Sequence, residues 1–183
     1  VYAVVEEAGQ SVAAILPALL PEIIAAVAFP KSMRWGGLDF RFARPVRWLV
    51  ALFGSDVVPF TLADVAAGDA SRGHRFLSAG PVRLAAPAEY FAKMAEHHVM
   101  VDQDLRRLVI REQVEKLAVQ QGGAAVIDED LLEEVVYLVE YPTALCGRFD
   151  EQYLALPPEA VITPMREHQR YFPVFAPDGK LLP

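Results

Sequence analysis

The chain has 183 residues, of which 54% are hydrophobic and 22% charged; that is enough apolar material for a packed core and excludes disorder as the default state. Its net charge of −7 argues against bulk attraction to nucleic acid, and its one cysteine, Cys146, cannot form an internal disulfide and matches a reducing compartment. The charge is unevenly spread: residues 31–75 hold seven basic against four acidic side chains, whereas 89–153 hold fourteen acidic against six basic. Such a contrast fits two ordinary solvated faces, and equally a basic patch that meets phosphate.

The sequence opens on Val1 rather than Met and closes on Pro183 inside what reads as a hairpin, so it reads as a piece of a longer protein. No basic stretch precedes an apolar one at the start, and no signal peptide is expected. The length predicts a single α+β domain over 1–183. Residues 12–30 are apolar but interrupted by Pro17, Pro21 and Glu22, too short a run for a membrane span. They predict a helix over 11–28 with Leu20, Ile23, Ile24 and Val27 as its apolar stripe, kinked or restarted at Pro17 or Pro21 and ended by Pro30. The β-rich runs 46–53 and 57–62 predict a hairpin around Gly54, Ser55 and Asp56, with Pro59 confining the second run to an edge or bulge. Residues 72–77 and 82–84 are further strand candidates.

Helices follow over 87–98, 102–121 and 128–140. In the second, Ile110, Val114, Leu117 and Ala118 share a face, and Gly122 and Gly123 close it. In the third, Asp128 is the N-cap, Ile127 can staple onto Leu132, and Leu131, Val135, Leu138 and Val139 form the predicted buried stripe. A strand over 143–149 would bury Cys146. A helix over 158–167, a strand over 169–175 and a turn at Pro177, Asp178 and Gly179 complete the chain. Hairpins and helices in blocks predict an α+β fold, a mixed or antiparallel sheet with hairpins packed against several helices.

Familiar catalytic patterns are missing from the sequence. His97 and His98 are adjacent on a predicted helix and diverge by about 100°, and His74 and His168 stand alone, so no metal site is expected. There is no Gly-x-Ser-x-Gly elbow and no glycine-rich phosphate loop. Glu133 and Glu134 read as solvated helix residues. Two clusters are richer. The first interleaves arginine with aromatics: Arg34 and Trp35, then Arg44, Arg47 and Trp48, then Arg72, His74, Arg75 and Phe76. Guanidinium groups pair with phosphate, and both they and aromatic rings stack on bases. The same mixture is also ordinary half-buried sheet, in which the period of two would put Trp48 in the core and Arg47 outside. The second cluster, Arg166, His168 and Arg170 with Glu167, Gln169 and Tyr171, sits at a helix-to-strand junction suited to a ligand contact or to internal hydrogen bonds.

Several motifs in order carry a resemblance: 29–36 (FPKSMRWG), 42–48 (FARPVRW), 72–76 (RGHRF), 131–135 (LLEEV), 138–142 (LVEYP), 156–160 (LPPEA), 169–174 (QRYFPV) and 179–183 (GKLLP). Together they cover nearly the whole chain, which resembles the N-terminal half of the β chain of bacterial two-subunit glycyl-tRNA synthetase. It also resembles the β-chain module of phenylalanyl-tRNA synthetase that houses editing, although no residue set here matches an editing site. The resemblance implies an α2β2 cytoplasmic ligase that joins glycine to tRNA(Gly), with ATP and magnesium used in the α subunit and no cofactor or catalytic residue on this chain. It implies tRNA(Gly) and the α subunit as partners, and neither membrane nor DNA. Arg34, Arg44, Arg47, Arg72 and Arg75 would then meet tRNA phosphates or the α subunit, with Trp35 and His74 stacking or hydrogen-bonding. The alternatives are a pure subunit-interface module and a hydrolytic editing domain acting on mischarged tRNA.

Overall fold

The computed structural model describes residues 9–183. Among them are five α-helices and nine short strands, an α+β architecture as expected, with the strands distributed over several small sheets. The chain divides into two compact units, the first running to His97 and the second from His98 to Pro183. No Gly- or Pro-rich linker marks that junction, and the expectation of one domain over 1–183 drew no boundary there. Residues 1–8 of that range lie outside the described residues.

The first unit begins with α1 (Val12–Ala26), which contains both Pro17 and Pro21 and buries no residue fully. Leu16, Leu20 and Ile24, spaced by four, are half-buried, whereas Ile23 and Val27 of the predicted stripe are exposed. The helix ends at Ala26, with Val27 already extended, ahead of Pro30.

The run 46–53 is not one strand. β1 (Leu49–Val50) runs parallel to β5 (Val65–Gly68), and β2 (Leu52–Phe53) pairs antiparallel with β3 (Asp56–Val57). The break falls at Ala51, whose N–H donates to the Gly68 carbonyl at 3.1 Å while its carbonyl accepts from the Val58 N–H at 2.9 Å. Gly54 supplies a positive φ of 63° for the turn between β2 and β3. Pro59 has no N–H to donate and separates β3 from β4 (Thr61–Leu62), which pairs with β5 through a turn at Ala63 and Asp64. β6 (Ala70–Arg72) pairs with β7 (Pro81–Arg83). The predicted strand 72–77 is therefore corrected: Arg72 ends β6, and Arg75, Phe76 and Leu77 form a turn. A 3-10 turn (Pro87–Glu89) leads into α2 (Tyr90–Glu96). Among the described residues, Val58, Leu62, Val82, Leu84 and Met94 are the buried apolar side chains of this unit.

In the second unit α3 (Gln103–Gln120) starts at Asp102, whose carboxylate accepts from the Asp104 and Leu105 N–H groups, and ends at Gly122 with a φ of 80°. α4 (Glu129–Leu138) is capped by Asp128. Ile110 of α3 and Leu132 and Val136 of α4 form a buried cluster against which Val114, Ile127, Val135, Val139 and Phe172 pack. The predicted stripe of α4 is thus rotated: Leu131, Leu132 and Val136 are buried, whereas Leu138 points to solvent.

No strand forms over 143–149. The α3 side chain of Gln113 holds this segment instead, donating to the Pro142 carbonyl at 3.3 Å and accepting from the Ala144 N–H at 2.8 Å. A side chain that satisfies the backbone in this way removes the need for a ladder. The segment stays near the surface, so Cys146 is exposed rather than buried in a strand. The partner of β9 (Val174–Phe175) is β8 (Ala124–Ala125). The helix near 158 runs further than predicted, as α5 (Pro158–Pro164) continued by a single π turn (Met165–Gln169) that Arg170 ends at a φ of 60°.

The Asp128 cap couples stability to pH. The Leu131 N–H donates to its carboxylate at 3.0 Å, and this bond, aided by the charge of Arg166, holds the carboxyl below its ordinary value. A depressed folded-state value gives stability that is complete above the unfolded value and is lost as pH falls through the folded one. The melting temperature should fall on acidification below about pH 4, and more steeply for the native chain than for Asp128→Asn. Parallel curves for the two proteins would refute the linkage.

Candidate nucleic-acid interface

Within the first unit, Arg47, Trp48, Arg72, Gly73, Arg75, Ser78 and Gly80 line a cleft of about 560 Å³. Arg47 and Trp48 come from the chain just ahead of β1, Arg72 from the end of β6, and the rest from the loop that joins β6 to β7. Both Arg47 and Trp48 are exposed, which corrects the core placement of the indole. The strand begins only at Leu49, so the in–out alternation of a ladder does not reach back to this pair. The guanidinium carbon of Arg72 lies 5.9 Å from the centroid of the Trp48 ring, a cation–π distance.

The loop is fixed from inside. The His74 N–H donates to the His97 carbonyl at 2.9 Å, and the His74 carbonyl accepts from the Ser78 N–H at 3.0 Å. Nδ1 of His74 accepts from the backbone N–H groups of Phe76 and Leu77, each at 3.3 Å. Ser78 Oγ lies 2.8 Å from Nδ1 of His97. Half-buried His74 therefore holds the turn that carries Arg75, and it does not line the cleft.

The predicted site residues separate by their partners. Arg34 forms an ion pair with Asp39 at 3.3 Å. Trp35 meets Phe40 edge-on at 5.8 Å, and Phe40 stacks on Phe42 at 6.0 Å, so its indole is part of a small aromatic cluster. Arg166 binds Asp128 at 3.1 Å and Glu167 at 2.7 Å, and the hydrogen bond to Glu167 holds its protonated form above the ordinary range. Arg170 pairs with Glu134 at 2.6 Å and donates to the Glu167 carbonyl; its Nε is buried without a partner. His168 is exposed. Glu133 pairs with Arg107, so neither residue of the Glu133–Glu134 pair is merely solvated. By contrast Arg44, Arg47, Arg72 and Arg75 have no acidic partner among the described residues. Three of these four meet in the cleft; Arg44 is exposed outside its lining.

A second concavity belongs to the second unit and was missed from the sequence. It measures about 1070 Å³ and is walled by apolar residues of α3, such as Val114 and Leu117, by the 142–149 segment, and by Val161 and Phe172. Arg148 and Arg170 are its charged lining residues; no Asp, Glu or His lines it. Among the described residues, no three His, Cys, Asp or Glu side chains are grouped to hold a metal ion, and no helix is long and apolar enough to cross a membrane.

The family model described as glycyl-tRNA synthetase beta subunit matches residues 1–183. The chain is 53% identical over 183 residues to the glycine–tRNA ligase beta subunit of Moorella thermoacetica, covering 100% of this chain and 26% of that protein. It is 51% identical over 181 residues to that of Desulforamulus reducens and 46% identical over 183 residues to that of Clostridioides difficile, covering 99% and 100% of this chain and 26% of each relative. The chain spans about a quarter of the length of these curated relatives. With its full length matched, the chain belongs to the glycyl-tRNA synthetase beta subunit family.

Proposed function

We propose that this chain is part of a cytoplasmic glycine–tRNA ligase and holds tRNA(Gly) during aminoacylation without performing the ATP-dependent chemistry, which belongs to the α subunit. The observation that carries the reading is the cleft of Arg47, Arg72 and Arg75, where three guanidinium groups converge with no carboxylate paired to them among the described residues. Uncompensated cations at a concave surface attract a phosphate backbone, whereas arginines already bound to Asp or Glu, such as Arg34, Arg166 and Arg170, are occupied. Gln in place of Arg47, Arg72 or Arg75 should weaken tRNA binding by the intact ligase severalfold, and each lost phosphate contact should reduce the slope of log affinity against log salt by about 0.7–0.9. Unchanged affinity and slope in all three variants would refute the reading.

Association with the α subunit is a second role, favoured by α1, whose Val12, Ile15, Leu19 and Ile23 side chains are exposed along one side. Co-purification of the α subunit with chains carrying Ser at Leu19 and Ile23 tests it; undiminished recovery would refute it.

A further inference from the structure

We infer that the cleft of the first unit receives an unpaired RNA nucleotide, with its base stacked on Trp48 and its phosphate held by the surrounding arginines. The inference rests on the tRNA-binding reading and narrows it to a part of the RNA that is not base-paired. Arginines alone would fit any phosphate backbone, and duplex would serve as well as single strand. Trp48 makes the difference. Its indole is 43% exposed at a cleft lined otherwise by Arg, Gly and Ser, with the Arg72 guanidinium over one face, so the fold leaves part of a large apolar ring open to water beside a cation. A paired base keeps its faces against its neighbours in the stack, and only an unpaired one can offer a face to a protein ring.

The dimensions agree with one nucleotide. A volume of about 560 Å³ lies within the range of small-molecule sites, about 300–1,000 Å³, so the cleft has room for a nucleotide. Arg72 stands 5.9 Å from the indole centroid, so a base lying on that ring would have its phosphate within reach of a guanidinium. Gly80 presents backbone without a side chain in the lining, and nothing lies within 4 Å of where its Cβ would stand, which leaves room for the sugar. The site thus combines a stacking platform with a charged wall, the pairing used for single strands.

The test uses the intact two-subunit ligase with Trp48→Leu and Trp48→Phe, each with a labelled single-stranded RNA oligonucleotide, with the duplex of the same sequence, and with AMP as competitor. Removing one stacked base should weaken single-strand binding by about tenfold in Trp48→Leu, leave it within about threefold in Trp48→Phe, and leave the salt slope and the duplex affinity unchanged in both. Because Trp48 is not in the core, an unaltered melting temperature should accompany the loss. Equal single-strand affinity in Trp48→Leu and the native enzyme would overturn the inference, as would an equal loss for duplex. AMP displacing the oligonucleotide at concentrations as low as the oligonucleotide's own would also overturn it, by making the site one for free nucleotides. Loss of tRNA binding in the arginine variants with no effect at Trp48 would sink this inference alone; silence at both would sink the tRNA reading as well.

Discussion

Replacing Leu132 with Ala should destabilise the second unit by about 2–5 kcal/mol, the range for emptying a fully buried leucine site. Leu132 has no exposed surface and stands with Val136 and Ile110 where α4 meets α3. Five partly buried side chains close around that trio, so the missing atoms leave a cavity and not merely a dent. The place in the range depends on how far Val114 of α3 and Phe172, just ahead of β9, can collapse inward. Denaturant unfolding measures the loss. Leu138→Ala, six residues along the same helix but exposed, should change stability by no more than about 0.5 kcal/mol. A larger loss at Leu138 than at Leu132 would refute the observed helix rotation and restore the stripe predicted from sequence.

Gly73→Ala should cost about 1–3 kcal/mol through overpacking, and it should also damage the arginine cleft. A Cβ at this position would lie 2.6 Å from Ser78 Oγ, 2.7 Å from His97 Cβ and 2.7 Å from the His97 carbonyl oxygen. The serine hydroxyl can rotate away, but the carbonyl cannot move freely because it accepts the His74 N–H that anchors the loop. Relief therefore has to come from shifting the segment that carries Arg72 and Arg75. RNA affinity should fall by about tenfold, the equivalent of roughly 1.4 kcal/mol. Gly68→Ala is the control, since nothing lies within 4 Å of its added methyl group. Native RNA affinity in a folded Gly73→Ala chain would show that the loop does not position the arginines.

Elements built on local chemistry were legible in the sequence. Asp102 and Asp128 cap α3 and α4, Gly122 closes α3, and Asp178 accepts from the Lys180 N–H in the turn expected there. What escaped depends on distant partners. The β4–β5 turn uses Ala63 and Asp64 at φ of 50° and 71°, where Asn-Gly would be the recognisable signal. The short strands β5 and β6 are rich in alanine and carry little β-propensity, so only their pairing reveals them. The site shows the same split. Arginine interleaved with aromatics marked the right segments, but sequence could not say which arginines were already bound to carboxylates. Asp39 is near Arg34 in sequence, whereas Asp128 is 38 residues from Arg166 and Glu134 is 36 from Arg170. His74 was legible as a residue of interest, and its work inside the loop was not.

The two prolines of α1 bear on what can lie against that helix. Neither ring nitrogen carries a hydrogen, so the carbonyls one turn earlier, at Ala13 and at Pro17, lack the regular helical bond from four residues ahead. Both acceptors fall on one side, four residues apart, in an otherwise oily segment. Hydrocarbon pressed dry over them would strand two oxygens at a cost that sheer greasiness cannot repay. Any neighbour that settles there must either bring N–H or O–H groups of its own or leave a line of water in place, which gives an apparently featureless rod a definite orientation.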